Sequence, residues 1–308
     1  MFIYVNRRGR PSSPPKRRNG LQTFNLKSGN KIVEGTKRVG KGVYGTVNVA
    51  YTNRTMTNRV AIKTQKQNQG VFECELTKYI HSLEPNHVMG VRECRGNGTM
   101  VSEYLHGGTF SSWVKKNKSM IKDEHMQDIL KQLIKALQNI HKKCPSFRHH
   151  DLHLDNVFID DTAPLSKYKY GLRVVIADMG LSCTSKFKNP QYDSEFEKSW
   201  GIYPRSDYMY DVHLFFNGLH PVVYELPNNL AKTMAFLMDI LKDGYMYEKN
   251  KFVNNFRLKP GVKLPWNFNH LLGHEYFSSM KSTSSSTDAW RKVQAALGKN
   301  SRVKVVSS

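Results

Sequence analysis

Apolar and polar residues repeat along this chain with two different periods. In the first part, short β-branched runs stand between breaks rich in Gly and Asn: Val39, then Val47-Asn48-Val49-Ala50-Tyr51, then Arg59-Val60-Ala61-Ile62-Lys63. Runs of this kind bounded by turn residues predict an antiparallel sheet. The spacing then becomes helical, with Leu76, Tyr79, Ile80 and Leu83 at i, i+3, i+4 and i+7, and Pro85 stops it. A longer helix is predicted from Glu124 to Lys142, where Met126, Ile129, Leu130, Leu133, Ile134, Leu137 and Ile140 form one stripe. Val157-Phe158-Ile159 and Val174-Val175-Ile176 read as strands on either side of a polar turn. A further helix after Pro227 carries Leu230, Met234, Leu237, Met238 and Leu241. Sheet first and helices afterwards predicts an α+β chain with two segregated halves.

Composition narrows the class. The 308 residues are 39% hydrophobic and 11% aromatic, which suits a sizeable core and argues against a disordered, collagen-like or coiled-coil chain. No apolar run reaches the roughly 18 residues of a membrane span, so no membrane partner is expected. Met1-Phe2-Ile3-Tyr4-Val5 is too short for a signal-peptide core. Cys74, Cys94, Cys144 and Cys183 lie far apart with no C-x-x-C pair, and are expected as four reduced thiols in a soluble intracellular protein. Lys and Arg number 47 against 25 Asp and Glu, a net charge of +22. That charge implies attraction to polyanions and says nothing of the fold. Arg7, Arg8, Arg10, Lys16, Arg17 and Arg18 fall in a stretch without large apolar residues, expected to be a mobile basic arm. Within it Arg8-Gly9-Arg10-Pro11 is similar to the core of an AT-hook, a peptide that lies in the minor groove, so nucleic acid is one expected contact of the arm.

The chemistry-bearing residues occur in a fixed order. Gly40-Lys41-Gly42-Val43-Tyr44-Gly45-Thr46-Val47 is glycine-rich, and its glycines would let backbone N–H groups approach phosphate oxygens. A dinucleotide-binding turn would lead into a helix; here the chain continues as a strand, which suits a flap over a nucleotide. Val60-Ala61-Ile62-Lys63 then sets a lysine on a strand. His149-His150-Asp151-Leu152-His153-Leu154-Asp155-Asn156 offers an aspartate and an asparagine in a polar loop, and Asp178-Met179-Gly180 follows a hydrophobic strand. A carboxylate and an amide oxygen are suitable hard ligands for Mg²⁺. Each element alone has a plainer reading as a hairpin turn, a surface lysine, a histidine-rich loop or a type I turn. Their joint occurrence in this order argues against those readings.

Together these motifs resemble the protein kinase superfamily, from about Phe24 to Asn250. The resemblance implies a two-lobed protein-kinase-like α+β fold, with a small antiparallel-sheet N-lobe (24–103) and a mostly helical C-lobe (104–280). Residues 1–23 would be the basic arm, and 281–308 a Ser/Thr-rich loop with a basic tail. It also implies that ATP is held by Gly40, Lys41, Gly42, Val43, Tyr44 and Gly45, with Val47 and Ala61 walling the adenine. Lys63 would hold the α/β-phosphates, and backbone groups of Glu103 and Leu105 would read the adenine edge. Asp151 matches the catalytic aspartate, Asn156 and Asp178 the metal ligands, and Asp211 the helix aspartate that braces the catalytic loop. Lys63 needs a helical glutamate as partner. Glu73 and Glu75 both flank the apolar stripe, and counting back from Leu83-Glu84-Pro85-Asn86 favours Glu75. Within the superfamily the chain is most similar to serine/threonine kinases of large DNA viruses of algae. That likeness implies protein substrates, acidic ones included, and work in the cytoplasm or nucleus of an infected cell, or in the virion.

The departures matter too. His150 stands where the family usually has the arginine that neutralises an activation-loop phosphate, which predicts competence without that phosphate. His153 replaces a lysine that touches the γ-phosphate; it is counted among the catalytic residues and keeps a small-molecule phosphotransferase as an alternative. Met179 replaces the usual Phe, Ala-Pro-Glu is missing with Tyr203-Pro204-Arg205 nearest to it, and Ser102 guards the back of the adenine pocket. A pseudokinase scaffold is the non-enzymatic alternative, opposed by the presence of Lys63, Asp151, Asn156 and Asp178.

Overall fold

Period-two sequence in the first lobe folds as a sheet. The computed structural model describes residues 23–25, 31–41, 45–52, 59–192, 202, 206–226, 228–241, 258 and 263–278, with side chains from residue 45 onward. Residues 1–22 of the expected arm (1–23), the flap residues Gly42, Val43 and Tyr44, Tyr203-Pro204-Arg205 and the expected tail (281–308) lie outside the described residues, and Thr23, the last residue of that arm, begins a strand. Strands β1 (Thr23–Asn25), β2 (Lys31–Lys41), β3 (Gly45–Tyr51), β4 (Arg59–Gln65), β5 (Val91–Cys94) and β6 (Thr99–Glu103) form one antiparallel sheet in the order β1-β2-β3-β4-β6-β5. Register fixes its faces. Val47 pairs with Lys63 and Lys63 with Met100; Val49 pairs with Ala61 and Ala61 with Ser102. These side chains therefore share one face. Ala50, Val60, Ile62 and Val101 take the other, where they form their own buried cluster. The first residue of β3 must be glycine, because a Cβ at position 45 would lie 2.3 Å from the Thr64 carbonyl oxygen.

Helix α1 (Gln67–Leu83) follows β4 directly and buries Gln69, Glu73, Leu76, Thr77 and Ile80. Leu76 and Ile80 belong to the main core, which continues through Met179 into the second lobe. That lobe contains α2 (Phe110–Asn117), α3 (Asp123–Lys143), the β7 (Val157–Asp160) and β8 (Arg173–Ile176) hairpin, α4 (Tyr210–Tyr224), α5 (Ala231–Ile240), α6 (Phe268–Gly273) and α7 (Glu275–Ser278). The α3 stripe lies within this core, fully shielded as its spacing predicts. In α5, Leu237 is buried but Met238 is exposed, so the apolar face there is narrower than the count of methionines and leucines suggests.

Two backbone contacts join the lobes. Met89 N–H donates to the Ile176 carbonyl at 2.9 Å and Ile176 N–H to the His87 carbonyl at 2.7 Å, so β8 is stitched to the segment before β5. The chain enters the residues around Asp178 from this stitched strand.

The expectation of four reduced thiols is corrected. Cys74 on α1 and Cys94 on β5 form a disulfide with their Cα atoms 5.8 Å apart, while Cys144 and Cys183 are free and buried. Sequence spacing gave no sign of the pair, because it arises only when α1 packs back along β5. The bridge closes a separation of 20 residues. Cys94→Ser should therefore lower stability by about 3 kcal/mol in denaturant titration under oxidising conditions. Addition of a thiol reductant should bring wild type down to the level of the variant. Identical midpoints for oxidised wild type and variant would show that the bridge contributes nothing.

Candidate active site

Lys63 sits at the centre of a β4 strand whose face looks onto α1. Its ammonium lies 2.7 and 2.9 Å from the two oxygens of Glu73 and 2.9 Å from Asp178 Oδ1. The expected partner Glu75 is not there: its side chain is half exposed and pairs with Lys78 at 3.7 Å. Glu73 is three residues before Leu76 and seven before Ile80, which puts it on the buried face of α1, whereas Glu75 falls on the opposite side. Both glutamates flank the apolar stripe, and it is the packing of α1 that separates them. Gln65, two positions from Lys63 and so on the same face of β4, also donates to Glu73 Oε2. That period-two relation is the signal by which sequence could have found it.

The electrostatics follow from burial. Burial opposes the Lys63 charge, but Asp178 and Glu73 outweigh it and hold its pKa above that of an ordinary lysine. Burial likewise pushes the Glu73 carboxyl up, while Lys63 pulls it down and Asp178 adds to the rise. With N–H donors from Lys63 and Gln65 on both of its oxygens, the ionised carboxylate is the form that fits the geometry.

The loop from His149 to Asn156 is held from below. The Asp211 carboxylate accepts the His149 and His150 backbone N–H groups, each at 2.8 Å. This fixes His150 at φ 62°, a left-handed conformation that costs a histidine about 1–3 kcal/mol. Asp151 N–H donates to His149 Nδ1 at 3.3 Å, so the imidazole proton is on Nε2 and donates to the Ala177 carbonyl at 2.9 Å. Asp151 itself remains partly exposed. Asn156 Nδ2 donates to the Asp151 carbonyl at 2.8 Å and to its carboxylate at 3.2 Å.

The β7–β8 ladder brings the backbones of Asn156 and Asp178 to the same end of the hairpin. Val157 pairs with Ile176, and Ala177 N–H donates to the Asn156 carbonyl at 3.0 Å, so the two side chains emerge at the same end of the hairpin. Asp178 is left-handed as well, at φ 63°. Asn156 Oδ1 is buried with no hydrogen-bond partner among the described residues. An orphaned amide oxygen beside a carboxylate is a hard donor pair that a divalent cation would satisfy. No cluster of three or more His, Cys, Asp or Glu able to hold a metal occurs among the described residues. The pair therefore suits a cation that draws its remaining ligands from phosphate and water.

The inter-lobe connection adds a feature that sequence did not reveal. Glu103 Oε1 accepts the Gly90 N–H at 2.8 Å, and Oε2 lies 2.6 Å from Arg173, which also reaches Asp160 at 3.1 Å. The Glu103 N–H is committed to the Gly90 carbonyl at 2.9 Å. Leu105 and Ser102 are both buried beside it.

Of the residues expected to form a site, Lys63 and Asp178 touch, Asp151, Asn156 and His153 form one loop cluster, and the hairpin ladder adjoins the two groups. Gly40 and Lys41 end β2, with Gly40 opposite Val47. This is a two-lobed α+β fold with an ion-paired strand lysine, a braced Asp-and-Asn loop and an aspartate at a hairpin end. The protein kinase domain model matches residues 33–200, and the chain belongs to that family. Similar proteins include the putative serine/threonine-protein kinase R400 of Acanthamoeba polyphaga mimivirus, 27% identical over 138 residues, or 39% of this chain and 30% of the relative. The serine/threonine-protein kinase WNK3 of Mus musculus is 29% identical over 117 residues, 34% of this chain and 6% of that protein. ULK3 of Xenopus laevis, also a serine/threonine-protein kinase, is 26% identical over 132 residues, 40% of this chain and 28% of that protein. The matches thus span under a third of each relative. The mimivirus relative carries the resemblance to kinases of large DNA viruses. Among the described residues no helix is long and apolar enough to cross a membrane.

Two expectations follow from this geometry. Glu73→Gln should reduce phosphoryl transfer by about a hundredfold, because the lysine loses a charged brace, whereas Glu75→Gln should stay within about twofold of wild type in the same steady-state assay. A larger loss in Glu75→Gln than in Glu73→Gln would return the role to Glu75, and equal losses would leave Glu73 with no special part. The second concerns His153, whose Nε2 lies 3.6 Å from Asp151 Oδ2. Burial disfavours its charge, but the neighbouring carboxylate of Asp151, with Asp155, raises its pKa above the ordinary 6.5. The folded state therefore keeps this proton to higher pH than the unfolded chain. The resulting stability is complete below about pH 6.5 and fades as pH rises through the raised value. His153→Gln should remove that component from the pH dependence of the unfolding free energy; an unchanged slope above pH 6.5 would count against the assignment.

Proposed function

We propose that the chain transfers the γ-phosphoryl group of ATP to serine or threonine hydroxyls of protein substrates, and that it does so without prior phosphorylation of its own activation segment. The observation that carries this reading is the preassembled Lys63–Glu73–Asp178 network in the unmodified chain. In this reading the Lys63 ammonium binds the α- and β-phosphates, held in place by Glu73. The glycine flap covers the nucleotide, and Val47 and Ala61 wall the adenine. Glu103, whose N–H is already used, meets the adenine through its carbonyl, and Leu105 through its backbone. Asp151 orients the acceptor hydroxyl and takes its proton; its position matters more than its basicity, because the transition state is loose. His153, beside Asp151, donates a hydrogen bond to the transferring group. Asn156 and Asp178 would hold Mg²⁺, which when bound offsets charge on the phosphates.

His150 in place of arginine supports independence from a loop phosphate. The net charge of +22 supports acidic protein substrates, and the basic residues of 1–22 support contact with nucleic acid. His153 favours one second reading, transfer to a small molecule.

The purified full chain, shown by mass spectrometry to carry no phosphate, should label a mixed protein acceptor from γ-labelled ATP and Mg²⁺. Lys63→Met should lower the rate at least about a hundredfold with the thermal midpoint retained. Strict dependence on a prior loop phosphate, or substantial activity in Lys63→Met, would overturn the assignment. Label found in metabolites rather than proteins would favour the small-molecule reading.

A further inference from the structure

The last turns of α3 open onto a hollow in the second lobe, of about 380 Å³ and mostly apolar. None of the residues assigned to nucleotide, metal or acceptor lines it. The residue that stands out in its wall is His141. It follows Ile134 and Leu137 along the apolar stripe of α3, at i+7 and i+4, where a hydrocarbon side chain would be expected. Its ring centroid lies 5.4 Å from that of Phe268, 6.4 Å from Tyr208 and 6.1 Å from Phe147. The residue is nine-tenths buried, yet neither ring nitrogen has a hydrogen-bond partner among the described residues. Burial and the nearby Arg148 charge lower its pKa to about 3, so at ordinary pH the neutral imidazole offers one N–H and one lone pair. A polar ring held idle among hydrocarbons is stabilised by whatever occupant supplies the missing partner.

The other polar groups of the wall are mainly donors. Gln138 Nε2 donates to Asn269 Oδ1 at 2.8 Å, and Asn267 Oδ1 accepts the His270 N–H at 2.9 Å. With those oxygens engaged, the two asparagines have NH₂ groups to give an occupant. Desolvation, with Asp207 beside it, raises the Tyr208 pKa and keeps its O–H a donor. Lys142 brings a positive charge and has no ion-pair partner among the described residues. No carboxylate lines the hollow; Asp207 is buried and accepts the Met209 N–H at 2.8 Å. Tyr208 and Phe268, with centroids 6.0 Å apart, add flat apolar surface next to the imidazole. Three rings, several donors and one cation together call for a ligand that is aromatic in its body and anionic at one edge.

We propose that this hollow is a binding site for a small aromatic carboxylate, whose ring packs against Tyr208 and Phe268 and whose acid group takes donors from His141, Lys142 and the asparagine NH₂ groups. The site stands independently of the proposed phosphoryl transfer. Its wall is nevertheless tied to the loop that carries Asp151. Arg148 donates to the Pro145 carbonyl at 3.0 Å and to the Ser206 carbonyl at 3.2 Å, so an occupant steadies the segments on both sides of that arginine.

The test uses the full chain, with naphthoate as the probe and neutral naphthamide as its control. Isothermal titration should show saturable naphthoate binding with a Kd of about 1 mM or below, as suits a ligand of that size. Naphthamide should bind about threefold more weakly, because the lysine it fails to pair with is exposed. Lys142→Gln should erase that difference. His141→Phe keeps a ring in place but removes both nitrogens; it should retain the thermal midpoint and weaken naphthoate by about tenfold. Hydrogen–deuterium exchange of peptides covering 141–148 and 206–210 should fall when naphthoate is added. A saturating non-hydrolysable ATP analogue should leave the naphthoate Kd within about twofold, since distant sites add independently. Absence of saturable binding would overturn the proposal, as would equal naphthoate affinity in wild type and both variants. Displacement of the probe by the nucleotide analogue would put it in the nucleotide cleft and overturn the proposal too. If His141→Phe does not fold, the naphthoate-to-naphthamide ratio in Lys142→Gln decides. None of these readouts needs phosphoryl transfer, so failure of the kinase reading would leave the result intact.

Discussion

Lys63 carries a full charge into a position where only 8% of the residue is exposed, and a charge placed there is tolerable only while Glu73 and Asp178 stay beside it. That requirement constrains three parts of the chain at once. Glu73 needs α1 seated on the sheet, which the Leu76 and Ile80 contacts with the core provide. Asp178 needs the β7–β8 hairpin and the buried Met179 behind it. Lys63 needs the β3–β4–β6 register that turns it inward. Loss of any one of these leaves a buried ion without its partner, so the geometry of the site and the docking of the two lobes are one energetic problem.

Below this network the loop from His149 to Asn156 is braced by Asp211, a wholly buried carboxylate whose pKa burial raises while His149 and the two backbone donors oppose the rise. Its two oxygens are spent on consecutive N–H groups, which lets the loop adopt a left-handed residue where most sequences would relax. The loop thereby presents Asp151 outward while His149 and His150 turn their rings into the protein.

Much of this was legible in the order of residues. The strand runs around Val47 and Ile62, the α3 stripe, and the motifs at Lys63, Asp151, Asn156 and Asp178 are local patterns, and local patterns survive in one dimension. What was lost depends on elements that meet only after folding. The Cys74–Cys94 bridge, Arg173 on Glu103, and Tyr192 on His150 join residues separated by 20, 70 and 42 positions, with no periodicity to relate them. Glu73 is the instructive middle case: both glutamates flank the apolar stripe, the count from the helix terminus favours Glu75, and helix termini vary by a residue or two where a buried face does not.

The side chain of Glu103 ends in two directions at once, onto the Gly90 N–H of the first lobe and onto Arg173 of the β7–β8 hairpin. Any motion that opens the cleft while keeping this ion pair must therefore turn about the connection instead of drawing the lobes apart. The parts of the cleft farthest from Glu103 then move most and those beside it least. The pivot of such an opening is a single arginine held by one carboxylate.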